Sequence, residues 1–477
     1  MRIIITFAWL VCLLPSLSMA QGTSAAPDPG GEQALIEQGR YLATAGDCMA
    51  CHTVKDGPAY AGGYSVQSPL GSIYATNITP SKTAGIGNYT EAQFARALRD
   101  GVRADGAHLY PAMPYTAYAQ LTDQDVHALY VYFMKGVEPV DQQVAKTELP
   151  FPFNIRISMA AWNLMFLNRE RFQPDPAKSE QINRGAYLVN GLAHCSTCHT
   201  SRNALMAEQG SRFLGGGALG AWYAPNISPD PNGIGGWTDA ELLQYLKTGR
   251  AEGKAQAAGP MAEAVQKSFQ HMTQADLEAM VAYLRTVKPV AGPADSQAPF
   301  AQGKPHSAEP VLRGVAGPNE RDSLNTGAAL FSAHCASCHQ ANGAGSKTQF
   351  YPALFRNTAT GGADPSNLVA VILYGVERSV GGEEVMMPRF DQLSYVSALS
   401  DAQIASISNY VLTEYGNPRV QVSSEDVAQA RRGGATPLLA KVQPFMVWIM
   451  AIAVLLVPML IVLLLRRRRR PARASAR

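Results

Sequence analysis

The stretch that decides the fold is "HCASCHQ", residues 334–340. It recurs with small changes as "DCMACHT" (47–53) and "HCSTCHT" (194–200). Of the seven cysteines in the chain, six lie in these strings and the remaining one is Cys12. The first cysteines of the strings, Cys48, Cys195 and Cys335, stand 147 and 140 residues apart. A chain of 477 residues has room for about three domains. One C-x-x-C-H per domain is the organisation this spacing predicts.

Two thiols separated by two residues, with His next, form the attachment pattern of c-type haem. The thiols add across the haem vinyl groups as thioethers, and the following imidazole points at the iron. The predicted attachment residues are Cys48, Cys51, Cys195, Cys198, Cys335 and Cys338, with His52, His199 and His339 as axial ligands, for three covalently bound haem c. A zinc ribbon would need two C-x-x-C knuckles close together. A thioredoxin-like dithiol requires neither the His nor the repetition. Disulfides would leave the histidines unexplained. The sixth ligand is expected to be a methionine beside a proline: Met113 in "YPAMPYT", Met261 in "AGPMAEA" and Met387 in "VMMPRF". They follow their histidines by 61, 62 and 48 residues. Met386 competes with Met387, which is favoured because the first copy also reads Met-Pro. Met/His ligation closes the iron and raises its potential. His108, five residues before Met113, is the substitute ligand, and His194 and His334 are expected near the surface or a propionate.

The repeat extends beyond the motif. "GSIYATNITPSKTAGIGNYTEAQF" (71–94) matches "GAWYAPNISPDPNGIGGWTDAELL" (220–243), and the third copy lacks this block. Each copy opens with a helix carrying a glycine, Gly39, Gly185 or Gly327, eight to ten residues before the first Cys. Each closes with a helix capped by Thr122, Thr273 or Ser400, and Tyr132, Tyr283 and Tyr410 fall at one equivalent position. A glycine facing an aromatic side chain permits a close helix crossing. "TEAQ" at Thr90 and "TDAE" at Thr238 read as capping boxes. The boundaries expected are a first domain over 32–138, a Pro-rich linker over 139–178, a second domain over 179–289, a linker over 290–322 and a third domain over 323–418. The linkers read as extended connectors that pack on the domains.

Both ends are apolar. Arg2 followed by "IIITFAWLVCLLPSL" and "SMA" reads as a secretory signal over 1–20, removed before Gln21 together with Cys12. Phe445 to Leu465 is a run of 21 uncharged residues. As a helix it would cover about 31 Å and cross a bilayer. Arg466 to Arg470 would hold the tail, 466–477, in the cytoplasm. The haem domains would then face the periplasm at the inner membrane. Removing Arg2 and the seven arginines after Leu465 leaves 32 basic against 37 acidic side chains, a balance of −5. A mildly acidic body argues against nucleic acid.

Taken together, the ordered motifs resemble the tri-haem cytochrome c subunit of bacterial membrane-bound dehydrogenases that oxidise alcohols, gluconate, sorbitol or fructose. Besides the three C-x-x-C-H motifs, the resemblance rests on "YPAMPYTAY", "TNITP", "GIGNYT", "LGGG" at 214–217 and "MPRF" followed by "LSDAQIA", and it covers nearly all of 32–435. It implies an all-α architecture of three tandem class I cytochrome c domains, to which the apolar run adds one C-terminal transmembrane helix. It also implies a catalytic partner carrying flavin or pyrroloquinoline quinone, a small third subunit, and electron delivery to ubiquinone. The chain itself has no Rossmann fingerprint or catalytic triad, so the expected role is electron transfer, not catalysis of its own. The alternatives are a multi-haem peroxidase, which would need an iron without Met, and the haem subunit of a terminal oxidase.

Overall fold

The opening and closing helices of each copy cross at a glycine, and the rest of the copy is built on that crossing. In the computed structural model the pairs are Pro29–Ala45 with Asp123–Val131, Glu180–Tyr187 with Gln274–Leu284, and Gly327–His334 with Asp401–Tyr415. A Cβ on Gly39 would lie 2.1 Å from the Ala128 carbonyl oxygen and 2.5 Å from Tyr132 Cβ. The corresponding distances are 1.9 Å to the Ala279 oxygen and 2.7 Å to Tyr283 Cβ for Gly185, and 2.3 Å to the Ser406 oxygen and 2.7 Å to Tyr410 Cβ for Gly327. No other residue fits so close an approach. The closing helices begin where the capping pattern placed them: the side chains of Thr122, Thr273 and Ser400 accept from the backbone N–H of Asp125, Asp276 and Gln403. Each such cap contributes about 1 kcal/mol. Thr90 and Thr238 form complete capping boxes.

The structure describes residues 29–68, 70–292, 297–312, 324–452, 456, 458–459 and 462. The expected signal segment and the basic tail lie outside them, as do parts of the second linker and of the apolar run.

Copies one and two share one apolar core. Leu42, Leu129 and Phe133 of the first pack in one cluster with Leu188, Leu192, Leu277, Met280 and Val281 of the second, each no more than 3% exposed. The pairing is reciprocal. The Tyr41 hydroxyl donates to Asp276 at 2.5 Å, and the Tyr187 hydroxyl donates to Asp125. Tyr41 stands two residues after Gly39 and Tyr187 two after Gly185, so equivalent residues make both contacts, as in an isologous interface. Copy three has Ala329 and Gln403 at these positions and keeps a separate core around Leu330, Phe331, Leu373, Ile404, Leu412 and Tyr415. It attaches to copy two through a small apolar patch, with Trp222 against Tyr374 and Ala221 on its core, and through polar contacts. Asn367 accepts from the Tyr223 N–H at 3.0 Å and donates to its carbonyl at 2.8 Å, and Gln270 donates to the Ser379 carbonyl at 3.1 Å. The first linker packs on copy one: Val140 O accepts from the Asn77 amide at 2.7 Å, and Trp162 and Leu167 are buried.

Two expectations about the fold class are corrected. The chain is helix-rich but not all-α. Among the described residues there are four two-stranded antiparallel hairpins, β1–β2 (Ser65–Ser68, Gly71–Tyr74), β3–β4 (Gly217–Leu219, Trp222–Ala224), β5–β6 (Arg250–Ala251, Ala255–Gln256) and β7–β8 (Val376–Val380, Glu383–Met387). The last turns at Gly381 and Gly382, with φ of 59° and 81°, between Val380 and Glu383. The C-terminal transmembrane helix is also not upheld: among the described residues no helix is long and apolar enough to cross a membrane. A crossing needs about 20 continuous helical residues. Around the run the described chain has a five-residue helix, Leu438–Val442, a 3₁₀ turn at Gln443–Phe445 and helical residues 446–452, with Pro458 farther on. An apolar composition does not by itself supply an unbroken helix.

The glycine crossings give a direct test. G39A and G185A are expected to lower unfolding free energy by about 2–4 kcal/mol, because the methyl meets backbone that cannot yield. G210A, where a Cβ meets nothing within 4 Å, should change it by less than about 0.5 kcal/mol. Urea denaturation followed by circular dichroism measures all three, and equal effects would refute the crossing geometry.

Candidate functional site

Each C-x-x-C-H ends on one short helical turn: Cys48–His52, Ser196–His199 and Ala336–His339. The turn places both sulfurs and the imidazole beside one another. In each copy the imidazole Nδ1 meets a backbone carbonyl: His52 that of Thr76 at 2.6 Å, His199 that of Pro225 at 2.7 Å and His339 that of Pro352 at 2.9 Å. A carbonyl only accepts, so Nδ1 carries the proton and the Nε2 lone pair is left for a metal. Burial holds all three imidazoles below their ordinary pKa, which keeps them neutral.

The six motif cysteines are free thiols. Burial pushes Cys48, Cys51, Cys195 and Cys335 up to about 12 and Cys198 to about 11. Reactive dithiols and thiolate metal knuckles need the opposite shift. Among the described residues no three His, Cys, Asp or Glu side chains come together as a metal site. Paired thiols beside a singly locked imidazole fit covalent haem c: the thiols would bond to carbon and the imidazole would bind iron.

Met113 and Met261 pack against the same core as Cys48 and Cys195, and Met387 packs against the core that includes Cys335. Met386 is 54% exposed and its sulfur accepts from the Tyr395 hydroxyl. A second register separates the two. Gly101, Gly249 and Gly375 end the preceding helices with φ of 63°, 72° and 72°, and each stands twelve residues before Met113, Met261 and Met387. A left-handed C-cap favours glycine. The three methionines then sit in different local structure: a turn, the helix Gly259–Lys267 and the end of β8. The twelve-residue spacing was a usable sequence signal that the Pro neighbours obscured.

His108 is away from solvent at Nδ1, without a hydrogen-bond partner there, and its carbonyl accepts from Arg156 at 2.9 Å. His194 is half-buried, edge-on to Tyr118 with ring centres 5.5 Å apart. His334 is partly buried against Phe390. Tyr118 donates to the Gly46 carbonyl at 2.8 Å, just ahead of the first motif. Asp47, adjacent to Cys48, is held well above the ordinary carboxylate range by burial and by the nearby Glu263. Sequence reading did not single out Tyr118, Asp47, Tyr41 or Tyr187. The two matched tyrosines after Gly39 and Gly185, absent in copy three, were the available signal.

The recurrent Asn77 and Asn226 have a clear task. Each follows the residue whose carbonyl holds the histidine. Asn77 Oδ1 accepts from the Thr79 N–H and hydroxyl while its amide donates to Val140 O; Asn226 does the same with Ser228 and Val290 O.

With this geometry in hand, comparison with known proteins is decisive. The chain belongs to the cytochrome c family. The family model matches residues 36–136, 182–288 and 324–414, one C-x-x-C-H in each. The chain is 49% identical over 431 residues to the fructose dehydrogenase cytochrome subunit of Gluconobacter japonicus, covering 88% of this chain and 87% of that one. It is 37% identical to the cytochrome c subunit of the quinone alcohol dehydrogenase of Komagataeibacter europaeus, covering 88% and 89%. It is 36% identical to the gluconate 2-dehydrogenase cytochrome c subunit of Pantoea cypripedii, covering 89% and 94%.

N77A and N226A are expected to cost about 2–3 kcal/mol each, because each leaves a linker carbonyl and a turn N–H unpaired. They should also raise the disorder of the neighbouring histidine, read as broadened imidazole NMR signals. Stability within about 0.5 kcal/mol of wild type would refute the clamp.

Proposed function

We propose that the chain is the tri-haem electron-transfer subunit of a dehydrogenase complex acting on CH–OH donors. The observation that carries this reading is the threefold recurrence of one device: two adjacent thiols and an imidazole locked at Nδ1 on a single turn. Cys48, Cys51, Cys195, Cys198, Cys335 and Cys338 would hold the haems, and His52, His199 and His339 would each offer a ring nitrogen to the iron. Met113, Met261 and Met387 would offer their sulfurs as the second ligand, and the register from Gly101, Gly249 and Gly375 supports that choice. Haem c, when bound, supplies a one-electron couple. The chain's own residues fix ring orientation, keep the imidazoles neutral and exclude water through the surrounding core.

Electrons would come from a catalytic subunit carrying flavin or pyrroloquinoline quinone, in a complex with a small third subunit, and pass to ubiquinone. The named relatives support a dehydrogenase setting, since each is the cytochrome subunit of such an enzyme. Their names point to sugars, alcohols and gluconate as the donor class. The haem domains would work on the periplasmic side of the inner membrane, where covalent haem attachment takes place. The chain acts as an electron carrier for its partner and not as a catalyst in its own right.

The axial assignment is open to direct measurement. Wild-type ferrous protein should bind no carbon monoxide. M113A, M261A and M387A should each bind one equivalent per chain, and the affected potential should fall. M386A should behave as wild type. Electron flow from the partner to quinone should slow in the three variants, while partner turnover with a direct artificial acceptor persists. Stoichiometric carbon monoxide binding by wild type, with peroxide turnover, would favour a peroxidase instead.

A further inference from the structure

The seam between copies two and three holds an arginine that the function above does not use. Arg378 lies on β7 of copy three and is 2% exposed. Its guanidinium enters copy two, where Nη1 donates to the Ala257 carbonyl at 2.5 Å. It fills the space over Gly249: a Cβ there would lie 2.9 Å from Arg378 Cζ. The equivalent space in copy one, over Gly101, is filled by that copy's own Tyr115, whose hydroxyl donates to Asn163 at 2.8 Å. Copy two has no such aromatic, since Glu263 stands two residues after Met261. Copy three therefore completes a slot in copy two with a cation.

Nε and Nη2 of this buried guanidinium make no hydrogen bond to the protein. These two atoms form the side-on fork. Elsewhere in the molecule the same fork grips carboxylates at two points: Arg184 on Asp276, with both bonds 2.8 Å, and Arg389 on Asp391. Planar bidentate recognition is what the fork is shaped for. Arg250, 17% exposed at its side chain, adds a second unpartnered Nε while its Nη2 pairs with Glu383 at 3.0 Å. Both arginines line a cavity of about 200 Å³ together with Lys247, Gln270 and Glu383. The Lys247 ammonium donates to the Met272 carbonyl. Glu383 is the single acid in that lining, so the charge balance there favours an anion.

We propose that Arg378 and Arg250 form a carboxylate-binding site at this seam, and that its occupancy sets the potential of a haem beside it. The inference rests on the haem assignment above. Both candidate distal methionines border the seam. Met261 lies on helix Gly259–Lys267, against which β7 packs, and Met387 pairs in the ladder with Val376, two residues before Arg378. A haem propionate is one source of the carboxylate, and a dissolved monocarboxylate is the other. A cation fixed here favours the reduced haem by opposing the positive charge of the oxidised iron.

The experiment is a potentiometric titration of the full haem-loaded chain, read by visible absorbance, with resonance Raman of the propionate bending mode. R378Q should lower the reduction equilibrium of one haem at least tenfold, about 59 mV for one electron. R378K, which keeps the charge without the fork, should lie between. If the source is a propionate, the bending mode shifts in R378Q and wild-type potentials are the same in acetate and chloride at equal ionic strength. If the source is dissolved, acetate lowers one wild-type potential by offsetting the guanidinium charge, and R378Q abolishes the effect. Titration of R378Q that superimposes on wild type, with no acetate effect, overturns the proposal. Should R378Q not fold, R250Q replaces it, with a shift of at least threefold expected and superposition again overturning. A chain that carries no haem would fail the proposed function; a haem-loaded chain with a silent Arg378 fails this inference alone.

Discussion

The bond from each motif imidazole to a backbone carbonyl is the constraint on which the three copies are organised. It selects the tautomer, fixes the ring and closes a loop whose length then decides what else the copy contains. The carbonyl lies 24 and 26 residues beyond the histidine in copies one and two, and 13 beyond it in copy three. The longer loops hold the hairpins β1–β2 and β3–β4, and the short loop holds none. Most of the difference between histidine-to-methionine spacings of 61 or 62 and 48 is therefore spent in this one loop. Asn77 and Asn226 brace the longer closures, and copy three closes without an equivalent.

The same difference separates how the copies associate. Copies one and two are alike enough to pair face to face, with Tyr41 on Asp276 and Tyr187 on Asp125, and to merge their cores. Copy three lacks both residues and joins through a hairpin that inserts Arg378. A merged apolar core makes a rigid pair. A partly polar seam is easier to adjust, and it is where charge can act on a neighbouring potential.

The sequence reading reached the haem motifs, the helix crossings and the caps because each depends on local chemistry or a short fixed spacing. It called the copies all-helical, since two- to five-residue strands leave little periodicity; the Gly381–Gly382 turn in copy three was the one strong hairpin signal. The run from Phe445 was read as a spanning helix from composition, whereas among the described residues no helix is long and apolar enough to cross a membrane. Met387 was chosen over Met386 for its proline. The stronger reason is the left-handed glycine twelve residues earlier, which becomes visible once the three helix ends are superposed. Arg378 could not have been found from sequence, because its partners, Gly249 and Ala257, are more than a hundred residues away and become neighbours only through the packing of one copy on another.

The central claim is that one chain carries three covalent haems on three equivalent turns. Intact-mass spectrometry of the denatured chain, after acid–acetone extraction, tests it most directly. The account predicts a mass increase of three haems over the polypeptide, reduced to two when His and Cys residues of any one motif are replaced. An increase of two or fewer in wild type, or haem released by the extraction, would contradict it.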